Sequence, residues 1–155
     1  MPDTKTPVAP VRKSITVAVA PLQAFELFTR DIGTWWPLAT HSVGLERAAG
    51  LSFGAIVGDQ LVETTADGTE EIWGTVLQSE PPRRIAFSWH PGRSAGEATH
   101  IEVRFTPDSA GGTDVELVHS GWERWADGET RAANYREGWE PVLHAFVDQA
   151  RSETV

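Results

Sequence analysis

The chain has 155 residues, and its 13 basic and 22 acidic side chains give it a formal net charge of -9. Binding to nucleic acid or to an anionic membrane relies on clustered Lys and Arg, so this charge predicts neither partner. The lack of cysteine excludes disulfides, zinc–thiolate sites and cysteine nucleophiles. No apolar run approaches the roughly 20 residues of a membrane helix. The first residues also lack the apolar core of a secretory signal, so we expect a cytoplasmic protein.

The length predicts one domain, residues 11–152, which buries roughly two thirds of its unfolded-state surface in a single core. Before it lies a polar, proline-bearing tail, residues 1–10, which offers nothing to pack and is expected to be mobile. The first element is a half-buried strand over Ser14–Ala20, because apolar residues there alternate with small or polar ones.

A short helix is expected after the first strand. Pro21 fits its first turn, and apolar residues at steps of three predict an amphipathic helix that runs to about Arg30. The next segment, 34–44, holds too many breakers for a long helix and is too aromatic for an idle loop, so we expect short helical structure that closes one end of the fold. Its adjacent Trp35 and Trp36 cannot both point inward along a regular element, so one is expected at a cavity mouth or at the surface.

Six further runs, rich in β-branched and aromatic residues, are separated by turns that contain Gly, Asp or Pro. No helix alternates with them, which indicates an antiparallel meander. With the first strand they predict a curved antiparallel sheet of about seven strands. The runs are Ser52–Val57, Gln60–Thr65, Glu70–Ser79, Arg83–His90, Thr99–Thr106 and Thr113–His119.

The final stretch, from Trp122 to Arg151, is the element that organises the fold. Its apolar residues recur at steps of three or four and so share one face of an α-helix, which the curved sheet is expected to cover. Pro141 removes a backbone donor and crowds the carbonyl of Glu137, so we expect a kink or a restarted helix there. The predicted class is α+β, a sheet wrapped around this helix, with two short helices after the first strand. The apolar face consists of Tyr135, Trp139, Leu143, Phe146 and Ala150.

Motifs spread over nearly the whole chain after the tail resemble those of a known family. The order of elements, with Trp35-Trp36 after the first helix, is similar to the SRPBCC superfamily of START and Bet v 1-like helix-grip proteins. The stretch GTVLQSEPPRRIAFSW, residues 74–89, resembles one in which relatives carry G-x-V, then P-P-x-R-L and a strand that ends in Trp. His119-Ser-Gly-Trp122 and Gly138-Trp139 resemble the closing motifs. The chain is thereby identified as a member of the family of homologues of the C-terminal domain of the heat-shock protein 90 ATPase activator.

The resemblance implies a fold with an internal apolar cavity, but the family spans carriers, cyclases and chaperone regulators. We expect the domain to bind a largely apolar small molecule between the sheet and the final helix. Two alternatives stay open: a protein-interaction module that regulates a chaperone ATPase, and a polyketide cyclase-like enzyme. Binding is favoured over turnover, and the protein is expected to be a monomer or a homodimer.

The candidate cavity residues are mostly aromatic side chains on the segments expected to surround the cavity. For Trp35, Trp36, Tyr135 and Trp139 core packing is the favoured interpretation, and contact with a ligand is the alternative. His119 shares a strand face with inward apolar residues, so a hydrogen-bonded structural role is favoured for it. His41 and His119 are the polar groups expected to orient a ligand. The candidates are Trp35, Trp36, His41, Phe53, Trp73, Phe87, Trp89, His119, Trp122, Tyr135, Trp139 and Leu143.

Sequence signatures of metal and cofactor binding are lacking. There is no His-x-x-x-His or His-Glu-x-x-His pair and no phosphate-cradling glycine loop. Glu63, Glu70 and Glu71 could include a general base, but charged residues near hairpins usually face water. We therefore expect no metal and no cofactor, and we assign no catalytic residue.

Overall fold

A seven-stranded antiparallel sheet is the main structural element among the described residues, 8–153, of this computed structural model. Its strands are β1 (Val11–Val17), β2 (Ala48–Phe53), β3 (Gln60–Thr65), β4 (Glu70–Glu80), β5 (Arg84–Trp89), β6 (Thr99–Pro107) and β7 (Thr113–Ser120). The strand order is β1-β7-β6-β5-β4-β3-β2. From β2 onward each strand therefore pairs with the next along the chain, as the predicted meander requires, and β7 returns to pair with β1.

The curvature of the sheet follows from register shifts between β2 and β3, between β3 and β4 and between β4 and β5. Such bulges bend a strand and increase its twist. The close approach of β4 and β5 also requires glycine, because a Cβ on Gly74 would lie 1.7 Å from the carbonyl oxygen of Ser88. Gly74 thereby allows Trp73 and Trp89 to pack with ring centroids 5.4 Å apart.

Helix α2 (Gly128–Ser152) packs against the sheet through its apolar face, on which Trp139, Leu143, Phe146 and Ala150 are buried. The helix begins later than Trp122. It also continues through Pro141 without the restart that the sequence led us to expect. Buried side chains on both sides of the proline hold the two halves against the sheet, which offsets the lost backbone hydrogen bond.

Helix α1 (Pro21–Phe28) closes one end of the core together with short 3-10 helices at Ile32–Thr34 and Leu45–Arg47. Phe28 packs against Phe105 of β6 and Phe146 of α2, with ring centroids 6.2 Å and 5.5 Å away. The predicted short helices after the first strand are thus present.

The first strand was predicted too late in the chain. It begins at Val11, because residues from Val11 to Val17 pair in continuous register with His119 to Thr113 of β7. Val19 lies beyond the strand but is still buried. The sequence pattern therefore predicts the buried side of this segment correctly, but it does not predict which residues pair with β7.

The predicted strand Ser52–Val57 was also misplaced, since β2 ends at Phe53. Asp59 closes a turn after it by accepting the backbone N–H of Ile56 at 3.1 Å. This turn leaves Ile56 and Val57 exposed at 72% and 61%. A side-chain-stabilised turn overrides the strand preference of two β-branched residues here.

Of the predicted N-terminal tail, residues 1–7 lie outside the described part of the chain. Val8 is partly buried against the core, so the prediction that the tail packs nothing is wrong at that position. The fold class is as predicted: α+β, a curved antiparallel sheet that grips a long C-terminal helix. No helix in the described residues has both the length and the apolar character needed to cross a membrane.

Candidate functional site

A cavity of about 470 Å³ lies between α2, the tryptophans of β4 and β5 and the segment that follows α1. This volume suits a drug-sized molecule. Most of the wall is aromatic or aliphatic, and His41, Ser42, Asn134 and Tyr135 are its polar side chains. The lining residues are Trp36, His41, Ser42, Val43, Trp73, Trp89, Pro91, Gly92, Asn134, Tyr135, Gly138, Trp139 and Val142.

Trp36, Trp73, Trp89 and Trp139 form a continuous group, here called the aromatic cluster. Trp36 is central, with its ring centroid 5.3 Å from Trp73, 6.0 Å from Trp89 and 5.9 Å from Trp139. The rings meet edge-to-face or tilted, which is the favourable geometry for aromatic pairs. Because the members come from the segment after α1, from adjacent strands and from α2, the cluster ties together every element around the cavity.

Each indole N–H of the aromatic cluster donates a hydrogen bond within the protein. The rings are therefore held in fixed orientations and turn carbon faces and edges toward the cavity. For Trp36, Trp73, Trp89 and Trp139 respectively, the acceptors are the His41 carbonyl at 2.7 Å, Glu63 Oε1 at 3.0 Å, the Tyr135 hydroxyl at 3.1 Å and His119 Nδ1 at 3.1 Å.

His119 is fully buried beneath the aromatic cluster, with both ring nitrogens engaged. An indole can only donate, so His119 Nδ1 accepts from Trp139 and the proton lies on Nε2. Nε2 donates to the hydroxyl of Thr99 at 2.8 Å, and that hydroxyl donates to the carbonyl of Trp89 at 3.1 Å. Burial lowers the pKa of the His119 imidazole well below its usual value, with a smaller contribution from His100. His119 is thus a neutral structural group rather than a free base.

The lowered pKa of His119 predicts that acid destabilises the protein before its carboxylates titrate. The folded state holds the imidazole neutral, whereas the unfolded chain takes up a proton near pH 6.5. The contribution to stability is complete above that pH and is lost as the pH falls below it, by up to about 1.4 kcal/mol per pH unit. Urea unfolding between pH 7 and pH 5 measures this slope.

The matched variants for this prediction are His119→Gln and His144→Gln. Glutamine at position 119 can keep one acceptor and one donor but does not titrate, so the slope should flatten. His144 has its side chain 79% exposed, so its replacement should retain the wild-type slope. Equal slopes in the wild type and His119→Gln would contradict the assignment.

Glu63 is a buried carboxylate that anchors the segment covering one side of the cavity. Its Oε1 accepts the backbone N–H of Val43 at 2.8 Å, and its Oε2 accepts that of Gly44 at 2.7 Å, in addition to the Trp73 indole. The adjacent Leu45 has φ of 51°, in the left-handed region, which is unfavourable for leucine. The expectation that Glu63 faces water is therefore wrong, because it lies on the same inward phase of β3 as Leu61.

The structure brings part of the candidate set together around the cavity and places the rest elsewhere. The candidates that line the cavity are Trp36, His41, Trp73, Trp89, Tyr135 and Trp139. The candidates that lie outside its lining are Trp35, Phe53, Phe87, His119, Trp122 and Leu143.

The candidates outside the lining pack in the core. Phe53 and Phe87 contact each other with centroids 5.0 Å apart. Trp122 packs on the ring of His119 at 4.1 Å. Leu143 is 3% exposed on the core side of α2.

Trp35 and Trp36 are both buried, and only Trp36 lines the cavity, in agreement with the expectation that one of the two adjacent rings faces a cavity. A 3-10 turn ends at Thr34, so the segment is not a regular element and neighbouring side chains can diverge inside the fold. Trp35 donates its indole N–H to the Leu27 carbonyl at 2.8 Å and packs against Phe146, while Trp36 lines the cavity.

The residues that sequence reasoning missed are mainly small or located in loops. Gly138 and Val142 flank predicted residues on α2, so their helical spacing was an available signal, whereas nothing local marked Pro91 as part of the wall. The letters of a G-x-S-x-G motif occur at Gly92–Gly96, but Ser94 caps a 3-10 helix and donates to Glu97 at 3.2 Å. A nucleophile elbow requires a strand-to-helix turn, so this Ser94 is structural.

The described residues contain no group of three or more His, Cys, Asp or Glu side chains that could hold a metal ion. The polar side chains that line the cavity can donate and accept hydrogen bonds. The arrangement is suited to holding a planar molecule and polarising an atom at its edge.

Comparisons with known proteins agree with the fold. The family model for "Activator of Hsp90 ATPase homolog 1-like protein" matches residues 18–150. No curated protein matches the chain. Among solved structures, Txn09, described as an anthrahydroquino-γ-pyrone synthase, is 35% identical, with a TM-score of 0.65, over 96% of this chain and 99% of that one.

More distant structures share the fold. The Aha1 dimer from Colwellia psychrerythraea is 17% identical, with a TM-score of 0.64, over 91% of this chain and 95% of that one. CalC from Micromonospora echinospora, described as a self-sacrificing resistance protein, is 21% identical, with a TM-score of 0.65, over 94% and 96%. Since the family model spans most of the chain, as the sequence motifs predicted, the chain belongs to the family of activator of Hsp90 ATPase homolog 1-like proteins.

Proposed function

We propose that this protein binds a flat, largely apolar aromatic molecule in the cavity, stacked within the aromatic cluster. The observation that carries the proposal is a cavity of about 470 Å³ whose indole N–H groups are all engaged within the protein. Fixed rings of this kind favour another planar ring system, because stacking and edge contacts then form without ordering the wall. Regulation of a chaperone ATPase, which the family description names, would not need such a cavity.

Tryptophan fluorescence tests binding directly. Titration with flavonoids, fatty acids and polyketide-like aromatics is expected to give saturable quenching for the planar aromatics. A micromolar dissociation constant, corresponding to about 8 kcal/mol, is the expected strength. Fatty acids should quench less, because a flexible chain loses more conformational entropy on binding.

Gly138 allows the location of binding to be tested without damaging the fold. A Cβ at this position meets no heavy atom within 4 Å, and Gly138 lies one helical turn from both Tyr135 and Val142 on the cavity side of α2. Gly138→Leu should fill the cavity and weaken binding at least tenfold. Because leucine favours helix over glycine by about 0.5–1 kcal/mol, stability should hold or rise.

Gly138→Ala is the matched control. It brings a similar gain in helix propensity but little volume, so its affinity should stay within about twofold of the wild type. If Gly138→Leu bound aromatics as well as the wild type does, the ligand would lie outside this cavity and the proposal would fail.

Catalysis of ring closure is a second candidate, favoured by the 35% identity to a γ-pyrone synthase over 96% of the chain. In this reaction the cavity holds an aromatic precursor whose ring hydroxyl adds to the distal carbonyl carbon of an open diketone side chain. The new C–O bond closes the pyrone, the attacked carbonyl oxygen leaves as water, and positioning supplies the rate. Incubation of such a precursor with the protein, followed by chromatography for the fused pyrone, tests it. Turnover should be absent in Gly138→Leu. If the pyrone formed at equal rates with and without the protein, catalysis would be rejected and binding would remain the proposed function.

A further inference from the structure

The hydroxyl of Tyr135 is a hydrogen-bond donor with no acceptor among residues 8–153. Its oxygen accepts the indole N–H of Trp89 at 3.1 Å, while no described residue accepts its own proton. The ring packs against His119 and Trp122, with centroids 5.0 Å and 5.2 Å away, so the side chain is fixed at the cavity wall. A donor at the cavity wall that no protein group satisfies is available to an acceptor on a bound ligand.

The Tyr135 phenol stays protonated at neutral pH. Burial raises its pKa above the ordinary value of 10.0 and outweighs the opposing effects of the Trp89 hydrogen bond and of nearby Arg131 and Arg93. Because its oxygen already accepts from an indole, its own O–H is polarised and donates more strongly. The cavity wall therefore carries a neutral, oriented donor.

The other polar side chains of the wall are Ser42, whose hydroxyl is fully engaged, His41, which is engaged through Nδ1, and the exposed Asn134. The Ser42 hydroxyl donates to the Leu38 carbonyl at 2.6 Å and accepts from the Leu45 backbone at 2.8 Å. The His41 ring pairs with the neighbouring threonine hydroxyl at 2.8 Å, and Asn134 is exposed. Tyr135 is thus the donor best placed to meet a ligand inside the cavity.

Tyr135 also lies at the boundary between the apolar cavity and a polar one. The second cavity, of about 450 Å³, shares Pro91, Gly92 and Tyr135 with the first and is lined by Arg93 and Arg131. A ring system stacked in the aromatic cluster would therefore meet the hydroxyl at the edge that faces the polar side.

We propose that Tyr135 donates a hydrogen bond to a carbonyl oxygen at the edge of the bound ring system. The ligand class is then a fused-ring aromatic ketone or quinone, rather than an aromatic hydrocarbon or a fatty acid. This inference rests on the proposed function, because it requires a ring system within the aromatic cluster. Tyr135 is then the residue that favours ligands with a carbonyl oxygen at this edge over ligands without one.

The test pairs two ligands with two proteins. Anthraquinone-2-sulfonate and anthracene-2-sulfonate share their ring count and their sulfonate and differ in the carbonyl oxygens. Calorimetric titration should show that Tyr135→Phe lowers the affinity for the quinone by about fivefold to tenfold, which corresponds to the loss of one neutral hydrogen bond. Binding of the anthracene should change less than twofold. The ratio of the two effects cancels differences in stacking between the probes.

A second measurement does not depend on the folding of Tyr135→Phe. Tyr135 is the only tyrosine in the sequence, so growth on 3-fluorotyrosine alters one side chain. The fluorinated phenol is a stronger donor and should bind the quinone more tightly without changing the anthracene affinity. If the tyrosine carbon that bears the hydroxyl is labelled with ¹³C, its NMR chemical shift should change when the quinone binds and should not change when the anthracene binds.

The outcomes separate this inference from the proposed function. If both probes bind and Tyr135→Phe weakens them equally, the role of Tyr135 is overturned while aromatic binding stands. If neither probe binds to the wild type, both proposals are overturned. If Asn134→Ala removes the preference for the quinone and Tyr135→Phe does not, the donor is the amide at the rim, and the assignment to Tyr135 is wrong.

Discussion

Replacing Glu63 with alanine is expected to lower the free energy of unfolding by about 3 kcal/mol and to weaken binding of anthraquinone-2-sulfonate at least tenfold. The carboxylate accepts the Trp73 indole N–H at 3.0 Å and the backbone N–H groups of Val43 and Gly44 at 2.8 Å and 2.7 Å. Alanine leaves these donors without an acceptor, at about 1–3 kcal/mol each, while removal of a buried charge returns part of that loss. The segment over the cavity would then lose its anchor.

Glu70→Ala is the matched control, because Glu70 is exposed on the neighbouring strand β4 and its removal should change stability by less than about 0.5 kcal/mol. Glu63→Gln should lie between the two, since an amide keeps one acceptor oxygen but turns an NH₂ group toward a donor. Urea unfolding at pH 7 and calorimetric titration measure both effects. A loss in Glu63→Ala no larger than in Glu70→Ala would mean that other contacts hold the segment.

Most of the fold could be predicted because alternating and helical patterns record which side of an element is buried. Strands β3 to β7 lie within one residue of their predicted bounds. The errors occur where strand pairing, a side-chain-stabilised turn or packing decides the boundary. Pairing with β7 moves β1 back to Val11, and the Asp59 turn ends β2 at Phe53. Pro141 remains inside α2 because burial of its neighbours outweighs a local preference.

The candidate site was only partly predictable, because residue type indicates that a side chain is buried but not whether it borders the cavity. Phe87 and Trp89 share the inward face of β5, yet only Trp89 lines the cavity. The difference depends on where α2 crosses the curved sheet, which no local pattern encodes. His119 illustrates the same limit, since both of its ring nitrogens are engaged by Trp139 and Thr99, which are distant in sequence. The available signal that was not used is the inward phase of Glu63.

Truncation of Leu143 to alanine is expected to cost about 2–5 kcal/mol, the range for a buried leucine. The side chain is 3% exposed on the face of α2 that packs against the sheet. Its neighbour Val142 lines the cavity, whereas Leu143 does not. The variant therefore separates core packing from ligand binding: the melt in urea should shift strongly, while the folded fraction should bind an aromatic ligand within about twofold of the wild type.

Leu77→Ala removes the same atoms from an exposed position on β4, where the side chain is 47% accessible. Its cost should be below about 0.5 kcal/mol, so the difference between the two leucines isolates burial against the sheet from the change in side chain. If Leu143→Ala also lost less than about 0.5 kcal/mol, the apolar face of α2 would not be the cover of the core. If it instead abolished binding in a fully folded protein, Leu143 would act on the ligand, and its original place among the cavity candidates would be restored.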